Sequence, residues 1–326
     1  MTATGVRRRS VLARAAGVLA AGLPPLAFAD DGPVIRLLVG LAPGGSNDIA
    51  ARALAERLQV SLKRTVVVES RLGAGQRLAL GELRRAAPDG NTLMLVTNSP
   101  FTIYPNIYAK LDYDPVNDFT PIAGVMSFDM GVAVGPMVNV GSLKEWVAWA
   151  RAHPDMATYG TPGAGTLPHF LGVAIGQSIG VDLRQVPYRG GTPAMTDLAG
   201  GHLPLLINGL SDLIEMHRAG KIRVLAVTGD KRSPQLPEIP TLKESGIDVS
   251  SVITVGIFGP ARMAPALVES LHRAITEAVQ SREIQQRFAG YGLVPAPLGA
   301  AELAANFAAE RQRLAVLVKA SGYVAE

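Results

Sequence analysis

Short apolar segments alternate with helix-like segments along most of the chain, and this alternation limits the possible folds more than any other feature. Residues 34–41 form an apolar run that predicts a strand, and residues 47–62 carry apolar side chains at helical spacing. Ser142 and Glu145 form a capping box before a further helix, and the C-terminal region around residues 264–279 is predicted to be helical. Further strands are predicted at residues 65–68, 92–97, 157–159, 183–186, 203–207 and 222–227. This alternation is typical of α/β proteins, so we expect an α/β fold.

The net charge of the chain is concentrated at its N-terminus. The 326 residues include 31 Lys and Arg against 27 Asp and Glu, for a formal charge of +4. Residues 1–29 hold four arginines, Arg7, Arg8, Arg9 and Arg14, and no acidic residue. The rest of the chain is formally neutral, so the basic balance does not indicate a nucleic-acid partner, and we expect none.

The same segment has the three parts of an export signal. A basic start is followed by the apolar residues 15–23 and by Ala27 and Ala29, which flank Phe28. We expect cleavage after Ala29 and a periplasmic location. Arg8-Arg9 resembles a twin-arginine signal, and a general secretory signal that contains paired arginines fits equally well.

Glycine-rich or polar loops follow several predicted strands, and this position is where α/β proteins bind ligands. One loop covers residues 43–48 (PGGSND), a second 161–169 (TPGAGTLPH) and a third 188–193 (YRGGTP). Each opens a predicted helix, whose first free N–H groups attract anions. Each loop alone is also consistent with a plain strand-to-helix connection. Asp48 caps its own helix, pairs with Arg52 or contacts a ligand, and His169 binds a ligand or holds its loop.

Motifs for catalysis, metals and nucleotides are missing from the sequence. The chain has no cysteine, its five histidines lack metal-type spacing, and no G-x-S-x-G motif is present. The loop at 43–48 lacks the lysine of a P-loop and the third glycine of a dinucleotide fingerprint. We therefore expect no enzyme activity, no catalytic residue, no metal and no cofactor.

Several stretches, taken in order, resemble the periplasmic solute-binding proteins of tripartite tricarboxylate transporters, the Bordetella uptake gene (Bug) family. The resemblance runs from about Ile35 to the C-terminus. The supporting stretches are IRLLVGLAPGGSNDIAAR, GAG at 73–75, AAPDGNTLML, KLDYDPVNDFTPIA, YGTPGAGTLPHFLG, GVDLRQVPYRGGTPAMTDLAGG, AGKIRVLAVTGDKRSPQLPEIPTLKESG and YGLVPAP.

The resemblance implies a type II periplasmic-binding-protein fold, with two α/β lobes and a ligand cleft between them. Residues 30–125 and 228–326 would form lobe 1, and residues 126–227 lobe 2. The ligand would be a small organic carboxylate bound by loop amides, hydroxyls and water. The contacts implied from lobe 1 are Leu41, Ala42, Gly44, Gly45, Ser46, Asn47, Asp48, Asn98 and Ser99. Those implied from lobe 2 are Thr161, Gly163, Gly165, Thr166, His169 and Asn208.

The sequence departs from the family pattern at positions that affect specificity. Leu41 and Ala42 stand where an aromatic residue and a second proline are usual, and Phe101 replaces a common histidine. Asn208 replaces a usual aspartate, and Gly209 the asparagine after it. An aspartate-to-asparagine change removes a negative charge and adds an N–H donor. From this change we expect a cleft suited to a carboxylate without an amino group.

The resemblance implies a binding protein that delivers its ligand to integral membrane transporter subunits. The alternative is an extracytoplasmic sensor whose ligand-bound form docks on a signalling kinase. The closed, ligand-bound form serves both roles, so the sequence leaves both open.

Overall fold

The structure is a computed structural model that describes residues 32–325, and the predicted export signal lies outside these residues. The strands are β1 Ile35–Val39, β2 Val66–Ser70, β3 Thr92–Thr97, β4 Phe119–Val134, β5 Thr158–Thr161, β6 Arg184–Pro187, β7 Leu206–Gly209, β8 Arg223–Val227, β9 Val252–Pro260 and β10 Val294–Pro295. The helices are α1 Ser46–Leu62, α2 Arg77–Arg85, α3 Ser99–Thr102, α4 Tyr104–Ile107, α5 Leu143–Ala152, α6 Leu167–Ile179, α7 Gly191–Ala199, α8 Leu210–Arg218, α9 Pro265–Gln280, α10 Arg282–Gly290 and α11 Ala300–Ser321. Short 3₁₀ turns cover Ala74–Gln76 and Pro154–Met156.

The strands of residues 32–325 join in one mixed sheet with the order β2-β1-β3-β9-β4-β7-β5-β6, and β8 and β10 also pair with β4. One end is parallel, because β1 pairs with β2 and β3 in that sense. The other end is also parallel, because β5 pairs with β6 and β7. Between them β4 and β9 run antiparallel to each other. Two parallel α/β parts are thus joined through two long central strands.

The predicted elements match the structure closely, except that the strand predicted at 203–207 lies at Leu206–Gly209 and that the two central strands were not predicted. The strand predicted at 92–97 has the observed bounds, and the helix predicted from residue 47 begins at Ser46. The capping box at Ser142 is confirmed, because the Glu145 N–H donates to Ser142 Oγ at 3.2 Å. Neither β4 nor β9 was predicted. Their buried runs of mixed glycine and apolar residues show no strand alternation.

The hydrophobic core has separate groups on the two sides of the central strands. Side chains from β1, α1 and α9 form one cluster, and side chains from β4, α5 and α6 form another. Phe128 and Ile253 pack against both clusters. Leu242 and Ile247 pack with the second cluster, although the predicted boundary places them in lobe 1. The lobe boundaries themselves stay a prediction.

None of the helices within residues 32–325 has both the length and the apolar character needed to cross a membrane.

Candidate functional site

A cavity of about 530 Å³ lies beside the central strands, where Phe128 and Ile253 form part of its wall. This volume suits a small ligand. The lining consists mainly of strand ends and helix starts, so we call the cavity the helix-start pocket. Its lining residues are Leu41, Ala42, Gly45, Ser46, Asn47, Gln76, Thr97, Ser99, Tyr104, Phe128, Met130, Pro162, Thr166, Leu167, Pro168, Gly191, Asn208, Gly209, Ser211, Asp212 and Ile253.

The first turns of four helices of at least nine residues border the helix-start pocket. Helix α1 contributes residues on one side, and α6, α7 and α8 contribute residues on the other. The first N–H groups of a helix have no acceptor within the helix, and the helix dipole favours an anion near them. Pro168, in the first turn of α6, removes one of these donors. The arrangement can bind a carboxylate without a lysine or arginine.

The Asn47 side chain is the clearest unsatisfied polar group at this pocket. The residue is 7% exposed, and its Oδ1 is buried without a hydrogen-bond partner in residues 32–325. Rotation of the carboxamide exchanges oxygen and nitrogen at this position, so the group can accept from or donate to a ligand. Burial without a partner costs free energy that a bound ligand would recover.

Gly45, rather than Ser46, is the N-cap residue of α1, and no side chain caps this helix. Ser46 is therefore the first residue of the helix and not its cap. The first glycine of the loop, Gly44, has φ +81°, which fixes the chain direction before the helix. Because Ser46 caps nothing, the change Ser46→Ala removes no helix cap.

The structure brings eight of the predicted site residues together around the helix-start pocket: Leu41, Ala42, Gly45, Ser46, Asn47, Ser99, Thr166 and Asn208. The other seven do not line it: Gly44, Asp48, Asn98, Thr161, Gly163, Gly165 and His169. These seven residues instead stabilise the segments next to the lining residues, through the hydrogen bonds described below.

Asp48 stabilises the loop at residues 43–48 through two hydrogen bonds. Its Oδ2 accepts hydrogen bonds from the Gly44 N–H at 3.0 Å and from Arg52 Nε at 2.9 Å. The hydrogen bond from Arg52 is the main cause that holds the pKa of Asp48 below its usual range, against the effect of burial. Of the three roles that the sequence left open, the structure shows the ion pair with Arg52.

The loop at residues 161–169 is stabilised by two side-chain hydrogen bonds to the Gly163 carbonyl. The Gly163 carbonyl accepts from Thr161 Oγ1 at 3.0 Å and from Thr166 Oγ1 at 2.7 Å. Gly165 has φ +69°, and a Cβ atom there would lie 3.0 Å from the Tyr323 ring. A bulky residue at 165 would thus strain the loop and press on Tyr323, so this substitution does not test ligand contact.

His169 stabilises the loop at residues 161–169 from its buried side. It is 7% exposed, stacks on Phe170 and accepts a hydrogen bond on Nδ1 from the Gly165 N–H at 3.1 Å. Burial lowers the pKa of His169 to about 4, so the neutral ring is the form present at neutral pH.

We expect His169 to make the folded state less stable as the pH falls from about 6.5 to about 4. An unfolded histidine binds a proton near pH 6.5, whereas the folded one does so only near pH 4. Between these values the unfolded state binds the extra proton, with a slope of up to about 1.4 kcal/mol per pH unit. Urea unfolding of wild type and His169→Gln at several pH values measures this contribution as the difference between the two proteins.

The comparison with the variant is needed because Asp129 acts in the opposite direction. Burial, and secondarily the charge of Asp230, raise the pKa of Asp129 to about 6. The folded state therefore gains stability from Asp129 as the pH falls, and this effect is common to both proteins. Equal slopes for wild type and His169→Gln would contradict the assignment.

Neither Asn98 nor Phe101 is among the described residues that line the pocket. The Asn98 Nδ2 donates to the Val252 carbonyl at 3.1 Å, which ties the end of β3 to β9. Phe101 is 2% exposed and stacks on Phe258 with ring centroids 4.5 Å apart. The residue that stands in place of the family's histidine is thus part of the core.

Gln76 lines the pocket and was missed by the sequence reasoning. It is 4% exposed and donates from Nε2 to Thr97 Oγ1 at 2.7 Å. Ala74 and Gln76 both have positive φ, at 46° and 75°, which is strained for residues other than glycine. The GAG stretch at 73–75 was the sequence signal for this loop.

Asp212 was also missed, and it changes the charge of the pocket. It lies in the first turn of α8, and its Oδ2 accepts a hydrogen bond from Asn208 Nδ2 at 3.2 Å. The replacement of an aspartate by Asn208 therefore does not leave this end of the pocket without a negative charge. The expectation that the ligand has no amino group rested on the loss of this charge, so it no longer has support. The sequence signal for Asp212 was an acidic residue four positions after Asn208, which stands at the end of a strand.

A second cavity, of about 510 Å³, lies near Arg223 and His217 and contains none of the predicted site residues. No group of three or more His, Cys, Asp or Glu side chains within residues 32–325 could hold a metal ion.

Comparison with known proteins gives a consistent result. The family model described as tripartite tricarboxylate transporter family receptor matches residues 50–323. Protein BugT from Bordetella pertussis is 30% identical over 309 residues, which cover 94% of this chain and 95% of BugT. The structure of periplasmic binding protein BugD is 28% identical, with a TM-score of 0.76 over 90% of this chain and 99% of that one.

The structure of R. palustris Rpa4515 with adipate is 27% identical, with a TM-score of 0.80 over 90% of this chain and 98% of that one. These similarities confirm the α/β periplasmic-binding-protein fold that the sequence predicted. The chain belongs to the tripartite tricarboxylate transporter receptor family, to which its sequence resemblance pointed.

Proposed function

We propose that this protein is a periplasmic solute-binding protein that captures a small organic carboxylate in the helix-start pocket and delivers it to the membrane subunits of a tripartite transporter. The observation that carries the proposal is the meeting of four helix starts around a pocket that no lysine or arginine of residues 32–325 lines. Helix starts favour anions. The family and the adipate-bound structure of Rpa4515 support the same ligand class.

A few hydrogen bonds to the carboxylate are enough for useful affinity. A hydrogen bond to a charged group contributes about 1.5–3 kcal/mol net, and micromolar binding needs about 8 kcal/mol. Helix α1 approaches the pocket from one side, and α6 to α8 from the other. A ligand that contacts both sides favours the closed form over the open one.

Delivery to a transporter is favoured over docking on a sensor kinase, because the family is one of transporter receptors. Uptake of a labelled ligand by cells with and without the gene tests delivery. Equal uptake would contradict it.

A thermal-shift screen tests ligand binding directly. We expect at least one of succinate, adipate, butyrate, hexanoate and benzoate to raise the melting temperature of the purified protein, because a ligand that binds only the folded state stabilises it. Glucose and putrescine are the controls without a carboxylate. Isothermal titration of the acid with the largest shift then gives its affinity. Stabilisation by the controls alone would contradict the proposal.

A further inference from the structure

Asp212 is the only side chain lining the helix-start pocket, among the described residues, that carries a charge at neutral pH. Tyr104 is the other ionisable group there, and burial raises its pKa to about 12, so it is uncharged. The formal charge of the lining is thus negative. In this pocket, the donors for an anion are backbone amides, hydroxyls and carboxamides, which carry no net charge.

Only one oxygen of the Asp212 carboxylate accepts a hydrogen bond from the described residues. Asn208 donates to Oδ2, whereas Oδ1 accepts no hydrogen bond from the described residues. The side chain is accessible from the pocket rather than enclosed in the core. Enough protein nevertheless surrounds it for desolvation to raise its pKa, against the smaller lowering effect of the hydrogen bond from Asn208.

The walls between the helix starts are apolar. Leu41, Phe128, Met130, Leu167 and Ile253 contribute side chains with no hydrogen-bonding group. A ligand with one carboxylate at the start of α1 places its remaining atoms against these walls. A second carboxylate at the start of α8 meets Asp212, and no lysine, arginine or histidine among the lining residues compensates for its charge.

We propose that Asp212 determines the charge of the ligand, so that the pocket selects carboxylates with a single negative end and rejects dicarboxylates. The inference rests on the proposed function, since it assumes that a carboxylate occupies this pocket. Like charges brought together in a partly desolvated site repel each other, and such repulsion selects between partners. The apolar walls favour a hydrocarbon body between the bound carboxylate and α8.

Acids of equal chain length provide the test. Isothermal titration at pH 8, where the carboxylic acids are ionised, compares hexanoate with adipate and butyrate with succinate. We expect the wild-type protein to bind the monocarboxylate of at least one pair about tenfold or more tighter than its dicarboxylate partner. In Asp212→Asn, the ratio of dicarboxylate affinity to monocarboxylate affinity should rise by about tenfold or more.

Glu215→Gln is the matched control. Glu215 lies on the same helix one turn further on, is exposed and pairs with Arg218 at 3.2 Å. This change removes the same charge from α8 outside the pocket, so the affinity ratio should stay within about twofold of wild type, because surface charges are screened. An equal rise in both variants would show a general charge effect and overturn the proposal.

The outcomes separate this inference from the proposed function. If no carboxylate in the screen or in these pairs binds, the proposed function fails and the inference fails with it. If carboxylates bind and the dicarboxylates bind as tightly as their partners in wild type, only the inference is overturned. The inference is also overturned if Asp212→Asn has the melting temperature of the wild type and leaves the ratio of dicarboxylate to monocarboxylate affinity unchanged.

Discussion

Replacing Gly45 with leucine is expected to lower carboxylate affinity by about tenfold or more, equivalent to at least about 1.4 kcal/mol. Gly45 lines the helix-start pocket and has φ −80°, which any residue can adopt. A Cβ atom at this position has no protein atom closer than the Ala42 carbonyl oxygen, at 3.4 Å. The Cβ atom therefore makes only an ordinary contact with the protein, and we expect the leucine side chain to occupy ligand space. Isothermal titration with the acid identified by thermal shift measures the effect.

Gly299→Leu is the control for this change. Gly299 is likewise an N-cap residue with φ −67°, and a Cβ atom there has no protein atom within 4 Å. Leucine is a poor N-cap at both positions, so each variant should lose about 1 kcal/mol of stability. Only Gly45→Leu should lose affinity. Unchanged affinity in Gly45→Leu would show that the ligand binds elsewhere.

The change Gly172→Ala is expected to lower the free energy of unfolding by about 2–3 kcal/mol, a large part of a typical total. Gly172 lies in α6, and a Cβ atom there would come within 2.0 Å of the Tyr159 ring. Tyr159 is fully buried, and its hydroxyl donates to the His169 carbonyl at 2.8 Å. The ring cannot move without losing this bond and its packing. Urea unfolding measures the loss.

Gly81→Ala is the matched control within another helix. Gly81 lies in α2, where a Cβ atom would make an ordinary contact of 3.6 Å with Arg85 Nη1. Alanine should therefore stabilise this helix by about 0.5–1 kcal/mol relative to glycine. If both variants were equally stable, α6 would not depend on its close approach to Tyr159.

The sequence predicted the local elements well because their signals are local. The apolar run that becomes β1, the helical spacing in α1 and the Ser142 cap each depend on neighbouring residues. The central strands β4 and β9 carry no such signal. Their pairing joins residues more than a hundred positions apart, and burial on both sides removes the alternation that identifies a strand.

The loops of the site were predictable in the same way, but the direction of each side chain was not. Asn47 and Asp48 are neighbours in the first turn of α1, yet Asn47 lines the pocket and Asp48 pairs with Arg52. His169 belongs to a predicted loop and is turned inward against Phe170. A helix turns by about 100° per residue, so adjacent residues face different surroundings.

The sequence by itself determined the fold class, the family and the glycine-rich helix starts, because each depends on residue order and short-range geometry. Only the tertiary structure decided which residues share the pocket and what charge the pocket carries. Gln76 reaches it from a 3₁₀ turn and Asp212 from the first turn of α8. Asn208 by itself suggested that the pocket had lost a negative charge. Its hydrogen bond to Asp212 shows that a carboxylate lies one helical turn further along the chain. Charge in a pocket depends on distance in space, which the chain sets only when it folds.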